Sequence, residues 1–329
     1  MAYRFLRCLG LAGFFAAALS AAAHAVEKPK VVASFSILGD LVRQVAGGHV
    51  ELVTLVGPNG DAHVFEPGPR ESAALAEADL LVANGLGFET WLERLSEAAG
   101  FRGTLVTATD GVTPLPAEHE EHEHGEHEHE AEAAEGEHEH EEGEEAGHDH
   151  EHDHGAFDPH AFQDLANGQI YVANIVKGLS EVDPAHAAEF EANAKKLSAE
   201  MVALDTQLKA DFAAIPQEHR RVLTSHDAFR YFARAYGVDF VAVHGVSTEA
   251  EPTARDLAEI VRQARDGNIK AIFFENMSDQ RLIETVAGET DLTVGGELYA
   301  DALSDQGGPA PDYLSLFRFN ARQLLDALR

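Results

Sequence analysis

The sequence predicts an α/β protein of two lobes, each a mostly parallel β-sheet flanked by helices, joined by one long helix across a cleft. Short apolar strands alternate with helical stretches up to residue 117 and do so again from residue 222. Between the two runs lies a helical stretch of about 31 residues without Gly or Pro, roughly 46 Å if fully α-helical. A mature chain of about 300 residues also favours two cores over one.

The elements follow in order. Val31–Phe35 reads as a buried strand, Leu38–Val45 as a helix ended by Gly47-Gly48, and Glu51–Val56 as a strand stopped by Gly57-Pro58-Asn59-Gly60. A helix over Pro69–Glu77 leads to the strand Leu80–Asn84, and a helix over Glu89–Ala99 leads to Thr104–Val106. Helical periodicity resumes from Phe162 to Leu179. Asp183-Pro184 has the chemistry of a helix start, Asp at the N-cap and Pro at the first helical position, and the helix runs to Ala214. It reads as a strut between lobes, an ordinary surface helix being the alternative. Then come the strand Val222–Ser225, a helix Ala228–Tyr236, the strand Phe240–Val243, a helix Thr253–Asp266 and the strand Ala271–Phe274. A helix Arg281–Ala287, a short strand Leu292–Val294 and a closing helix Pro311–Leu328 complete the chain.

The amino terminus reads as an export signal. Arg4 and Arg7 precede the apolar run Leu9–Leu19, and Ala23-His24-Ala25 is a small-x-small cleavage site, so Val26 begins the expected mature chain. The run falls short of the roughly 20 residues a spanning helix needs. Arg7 stands before Cys8 where a lipoprotein signal requires a small residue, and Cys8, the sole cysteine, leaves with the signal. Any metal site of the mature chain therefore rests on His, Asp and Glu. The expected organisation is a signal over 1–25, a first lobe over 26–182, a linking helix over 183–215 and a second lobe over 216–329. The expected location is the periplasm, and the expected state a monomer.

Inside the first lobe an insertion over 117–155 cannot form a core. From Glu118 to His154 it holds eleven His, sixteen Glu and two Asp, with no Lys or Arg. Its carboxylates repel one another and it has no large apolar side chain. Its histidines, His119, His122, His124, His127, His129, His138, His140, His148, His150, His152 and His154, suit capture of zinc, copper or nickel, with the carboxylates adding charge. A solvated acidic linker is the plainer alternative. These eighteen carboxylates supply more than half of the formal charge of −33. That balance argues against nucleic acid or an anionic membrane as partner and favours cations.

A better-ordered site is expected where ligands of open α/β sheets sit, beyond the carboxyl ends of strands. His63 lies in Gly60-Asp61-Ala62-His63-Val64-Phe65-Glu66-Pro67 after the second strand, His160 follows Asp158-Pro159, and His226 follows the strand ending at Ser225. A lone histidine in such a loop is usually structural; three, on loops of both lobes, point to a metal bridging the cleft. Asp61, Glu66 and Asp227 flank these residues and are candidates to orient imidazole N–H groups. Phe88 and Trp91 read as core, His244 as a residue lining the cleft, and His49, His186 and His219 as surface.

These motifs resemble the cluster A-I solute-binding proteins of metal ABC transporters, closest to the periplasmic zinc-binding component of the ZnuA type. The resemblance spans the mature chain. It rests on Val32–Phe35, Gly60–Pro67, Asn84-Gly85-Leu86-Gly87-Phe88-Glu89-Thr90-Trp91, Asp158-Pro159-His160, Thr224–Phe232, Glu251-Pro252 and Asp301-Ala302-Leu303-Ser304. It implies two lobes joined by a long helix, Zn2+ carried in the cleft, and His63, His160 and His226 as ligands. Asp301 occupies the place of the fourth, carboxylate ligand of several members; in others water or another carboxylate completes the shell. Manganese-selective relatives carry Glu where this chain has His226, and a His-rich insertion is similar to that of zinc-specific members. Some zinc members also have a disulfide in the second lobe, which this chain lacks.

The expected function is capture of Zn2+ and delivery to the membrane permease of a metal ABC transporter. No Gly-x-x-x-x-Gly-Lys-Ser/Thr loop is present, so ATP hydrolysis falls to a cytoplasmic ATPase partner. The insertion would serve as collector, sensor, or dock for a periplasmic zinc chaperone. The rival readings are a metal buffer or metallochaperone acting through the insertion, a manganese-binding homologue, and a zinc hydrolase. The last lacks a His-Glu-x-x-His helix and an evident general base.

Overall fold

The structure is a computed structural model and describes residues 28–117, 156–245, 248, 254–278, 280–290 and 292–329. The expected signal, the insertion histidines and Glu251-Pro252 lie outside the described residues. Among the described residues no helix is long and apolar enough to cross a membrane.

The first lobe contains β1 (Lys30–Phe35), α1 (Ser36–Ala46), β2 (Glu51–Val56), α2 (Pro69–Ala76), β3 (Leu80–Ala83), α3 (Leu92–Ala99), β4 (Thr104–Thr107) and α4 (Leu165–Val182). After α5 (Ala187–Ala213) the pattern restarts with β5 (Arg221–His226), α6 (Arg230–Tyr236), β6 (Asp239–His244) and α7 (Ala254–Asp266). It ends with β7 (Ala271–Glu275), α8 (Gln280–Glu289), β8 (Val294–Leu298) and α9 (Tyr313–Leu328). The two sheets have the same topology, β2-β1-β3-β4 and β6-β5-β7-β8, with every pair parallel. Both run their carboxyl ends toward the loops that carry His63, His226 and Asp301.

The helix α5 joins the lobes. Its buried residues, Phe190, Ala194, Leu197, Met201, Leu204, Leu208 and Phe212, recur every three or four positions and form one apolar stripe. At its start Asn193 Nδ2 donates to Val45 O of the first lobe at 3.0 Å. At its end Phe212 packs edge-on against Phe232 of the second, with ring centroids 5.6 Å apart. One continuous core includes residues of both sheets, and a smaller cluster around Leu223, Ile272 and Val286 covers the other face of the second sheet.

Several boundaries differ instructively from the sequence reading. Asp183 does not cap an α-helix: Pro184–His186 form a 3-10 turn before α5, and Asp183 Oδ2 lies 2.6 Å from His186 Nδ1. His226 is the last residue of β5, paired with His244 of β6, and Glu275 of the neighbouring strand accepts its backbone N–H. The last strand is Val294–Leu298 rather than Leu292–Val294. Its Gly295-Gly296 reads as loop, yet a Cβ at Gly295 would stand 2.5 Å from the Phe273 ring, so close strand packing requires glycine there. The helix expected from Glu89 begins at Leu92, and that expected from Phe162 begins with a 3-10 turn, Ala161–Gln163.

Candidate metal centre

The end of β5 and three loops bring His63, His160, His226 and Asp301 together, with one potential ligand atom from each lying within 4.8 Å of all the others. All four are buried. His63 Nε2 is 3.2 Å from His160 Nε2 and 3.3 Å from Asp301 Oδ2. His226 Nε2 is 3.1 Å from Asp301 Oδ2, and His160 Nε2 is 3.5 Å from Asp301 Oδ1. Donors on a tetrahedral shell with 2.0–2.1 Å bonds stand about 3.3 Å apart. The four separations above, 3.1–3.5 Å, are close to that value. Asp301 Oδ1 is buried and has no hydrogen-bond partner among the described residues, leaving an acceptor aimed into the cluster.

Each side chain is placed by its loop. The His63 loop is turned by Asp61, whose Oδ1 accepts the His63 backbone N–H at 2.9 Å and whose Oδ2 accepts from Thr248 Oγ1 of the other lobe at 2.7 Å. Trp91 Nε1 donates to Ala62 O at 2.7 Å, and the Phe88 ring meets the His63 ring edge-on at 4.7 Å. Phe88 and Trp91 are core residues that also wall the site.

His160 emerges from a braced segment. Asn84 Nδ2 donates to Pro159 O at 2.9 Å while Tyr171 OH donates to Asn84 Oδ1 at 2.7 Å. Tyr231 of the second lobe accepts from Leu115 N and donates to Asp158 O, both at 2.9 Å. Just before it, Ala117 N–H donates to Ala156 O at 3.1 Å and Asp158 N–H to Leu115 O at 2.9 Å. The two ends of the acidic insertion are thus paired as antiparallel chain, close in sequence to His160.

Charge within the site is balanced by contact. Burial opposes a charged His160, but the Asp301 carboxylate and the hydrogen bond to Asp158 outweigh it and hold the His160 pKa at about 9. Burial likewise opposes a charged His226, and Glu275 and Asp301 together hold its pKa well above the ordinary imidazole value. Burial would raise the Asp301 pKa, yet His160 and His226 keep it well below the ordinary carboxylate range. A divalent cation entering the cluster would therefore compete with protons for the histidine nitrogens.

The imidazole partners differ from those the sequence suggested. Asp158 faces His160 Nδ1 at 2.8 Å, and Glu275 Oε2 faces His226 Nδ1. Asp61 reaches only the His63 backbone, Glu66 is exposed, and Asp227 lies 3.7 Å from Arg230 Nε. Glu275 had one legible signal: it is the acidic end of an otherwise apolar strand, Ala271-Ile272-Phe273-Phe274. His244 stands opposite His226 in the β5–β6 ladder. His49 and His186 are not free surface residues; their rings stack at 3.9 Å where α5 begins, at the amino ends of the strands and away from the site.

Comparison with known proteins places the chain among metal-binding proteins. Residues 31–327 match the ZnuA family, described as the periplasmic zinc-uptake complex component A. The chain is 31% identical over 310 residues to the iron-binding protein YfeA of Yersinia pestis, covering 92% of this chain and 89% of that one. It is 29% identical over 308 residues to the manganese ABC transporter substrate-binding lipoprotein PsaA of Streptococcus pneumoniae, covering 92% and 90%. Among solved structures, the periplasmic zinc-binding protein TroA of Treponema pallidum superposes with a TM-score of 0.77 at 26% identity, covering 92% of this chain and 99% of TroA. The manganese-bound periplasmic metal-binding protein of Candidatus Liberibacter asiaticus gives 0.74 at 28% identity, covering 92% and 100%.

Proposed function

We propose, from the premise that this chain belongs to the ZnuA family of metal-importer solute-binding proteins, that its cargo is Zn2+, held by His63, His160, His226 and Asp301. The family's members are transport proteins that bind a metal for an ABC importer, not enzymes, so a membrane permease and its ATPase are the partners. The single observation that supports zinc is the donor set. Three imidazole nitrogens and one carboxylate converge within 4.8 Å of one another, a donor set suited to zinc, whereas manganese favours more oxygen donors and a higher coordination number.

His63 and His160 come from the first lobe and His226 and Asp301 from the second, so a bound ion ties the lobes together. Release then requires the permease to separate them. The periplasm is the working compartment, with residues 1–25 as the export signal and residues 26–182, 183–215 and 216–329 as first lobe, linking helix and second lobe. The insertion, rooted next to His160, serves as an accessory collector, sensor or chaperone dock, and the protein acts as a monomer.

A second reading, manganese or iron, is favoured by relatives named for those metals and by the unpartnered Asp301 Oδ1, which can add a fifth bond. In-vitro competition cannot separate the two, because zinc outcompetes manganese and iron at nearly any site of such donors. Cells lacking the protein are expected to fail in zinc-limited medium and to be rescued by added zinc. Rescue by manganese or iron instead would assign the site to the second reading.

A further inference from the structure

We propose that Glu275 is a positioning residue that commits His226 to the cation through Nε2, and that a carboxylate is required there because two donors of His226 meet two different oxygens. The proposal rests on the reading of the four-residue cluster as a cation site. Glu275 Oε1 accepts the His226 backbone N–H at 3.0 Å, and Oε2 faces the ring Nδ1. Glu275 and His226 are both fully buried, so no water substitutes for either bond. When Nε2 binds a cation, Nδ1 must carry a proton, and both groups facing Glu275 are then N–H donors. Only a carboxylate can accept from both through two different atoms.

Asp158 provides an internal control, because it holds His160 with different geometry. One oxygen, Oδ1, accepts both the His160 backbone N–H at 2.9 Å and faces ring Nδ1 at 2.8 Å. The other, Oδ2, is buried without a hydrogen-bond partner among the described residues. An amide therefore acts differently at the two positions. In Asp158→Asn the carbonyl oxygen keeps both bonds and the NH2 group takes the place of the unpartnered Oδ2. In Glu275→Gln one of the two His226 nitrogens must face an NH2 group. If that nitrogen is Nδ1, the ring can bond only as the acceptor at Nδ1. Its proton then moves to Nε2, the nitrogen needed for the cation. If it is the backbone N–H, two donors collide and the strand end carrying His226 is displaced. Both substitutions remove one negative charge, so a difference between them cannot come from charge alone. His63 marks the contrast, since Asp61 Oδ1 accepts only its backbone N–H.

The test is a zinc competition titration of the full chain and of both single variants, together with NMR of the unsubstituted protein loaded with NMR-active cadmium and nitrogen-labelled histidine. Glu275→Gln is expected to weaken zinc binding by about 10- to 100-fold, the range for loss of such a partner. Asp158→Asn is expected to change it by no more than a few-fold, and cadmium is expected to couple to Nε2 of His226. Equal losses in the two variants, or unchanged affinity in Glu275→Gln, would overturn the proposal. Should Glu275→Gln fail to fold, the spectrum of the unsubstituted protein still decides, because coupling through Nδ1 of His226 overturns it. Absence of any tight zinc in the unsubstituted protein would instead overturn the functional reading beneath it.

Discussion

Replacing His226 by alanine is expected to remove tight zinc binding from the cleft and to weaken the metal-free fold at the same time. The binding loss should exceed the roughly 10- to 100-fold cost of losing a partner that only orients a ligand, because a donor itself is gone. The fold also suffers, since Glu275 and Asp301 both face the His226 ring in fully buried surroundings. Removing one partner of such a pair leaves an uncompensated buried charge, costing about 3–5 kcal/mol. His63→Ala separates the two effects. Among the described residues no carboxylate holds His63 Nδ1, so its loss should weaken zinc to a similar degree with a smaller drop in metal-free stability. Zinc competition titrations and metal-free denaturation curves measure the two quantities independently. Equal destabilisation by the two alanines would contradict the proposed roles of their neighbours.

Metal-free protein is expected to lose stability as pH rises from 7 to 10, while the stabilisation conferred by zinc grows over the same range. His160 has its folded pKa raised to about 9 from an unfolded value near 6.5. Its contribution is therefore fully present below the unfolded value and is lost as pH rises through about 9, and His226 acts in the same direction. Asp301, whose folded pKa is depressed, contributes stability that is present above its unfolded value of about 3.9 and is lost as pH falls through the folded one. Zinc competes with these protons, so its apparent affinity rises as they leave, and ligand linkage converts that affinity into melting temperature. Asp301→Asn checks the cause. Removing the carboxylate shared by both histidines should lower metal-free stability at pH 7 and flatten its decline toward pH 10. Thermal melts of the metal-free protein and the variant across that range, with and without zinc, measure each trend. A metal-free melting temperature that climbs from pH 7 to 9 would rule the account out.

Much of this was legible in the sequence, for identifiable reasons. Alternating strands and helices follow from local patterns of apolar residues, and the same patterns separate the two sheets. The α5 stripe from Phe190 to Phe212 is periodic in the sequence. His63 and His226 could be singled out at strand ends and His160 after Asp158-Pro159, whereas Asp301 came only from the family resemblance. What stayed hidden depends on contacts across strands. Glu275 is 49 residues from His226, and its place at the acidic end of an apolar strand does not name His226 as its partner. Asp61 and Asp227 sit beside ligands in sequence, yet side-chain direction gives Asp61 only the His63 backbone and turns Asp227 toward Arg230. Gly295-Gly296 reads as a break until the Phe273 ring beneath it is known.

The central claim is that the transported ion sits in the cleft and not in the acidic insertion. The most direct test is a competitive zinc titration at pH 7 of mature protein in which Glu118 to His154 are replaced by a short glycine link. The pairing of Ala117 with Ala156 lets such a link close the gap without moving His160. The account predicts one tight equivalent in this shortened protein, abolished by His226→Ala. Loss of all tight binding on shortening would contradict it and make the insertion the true store.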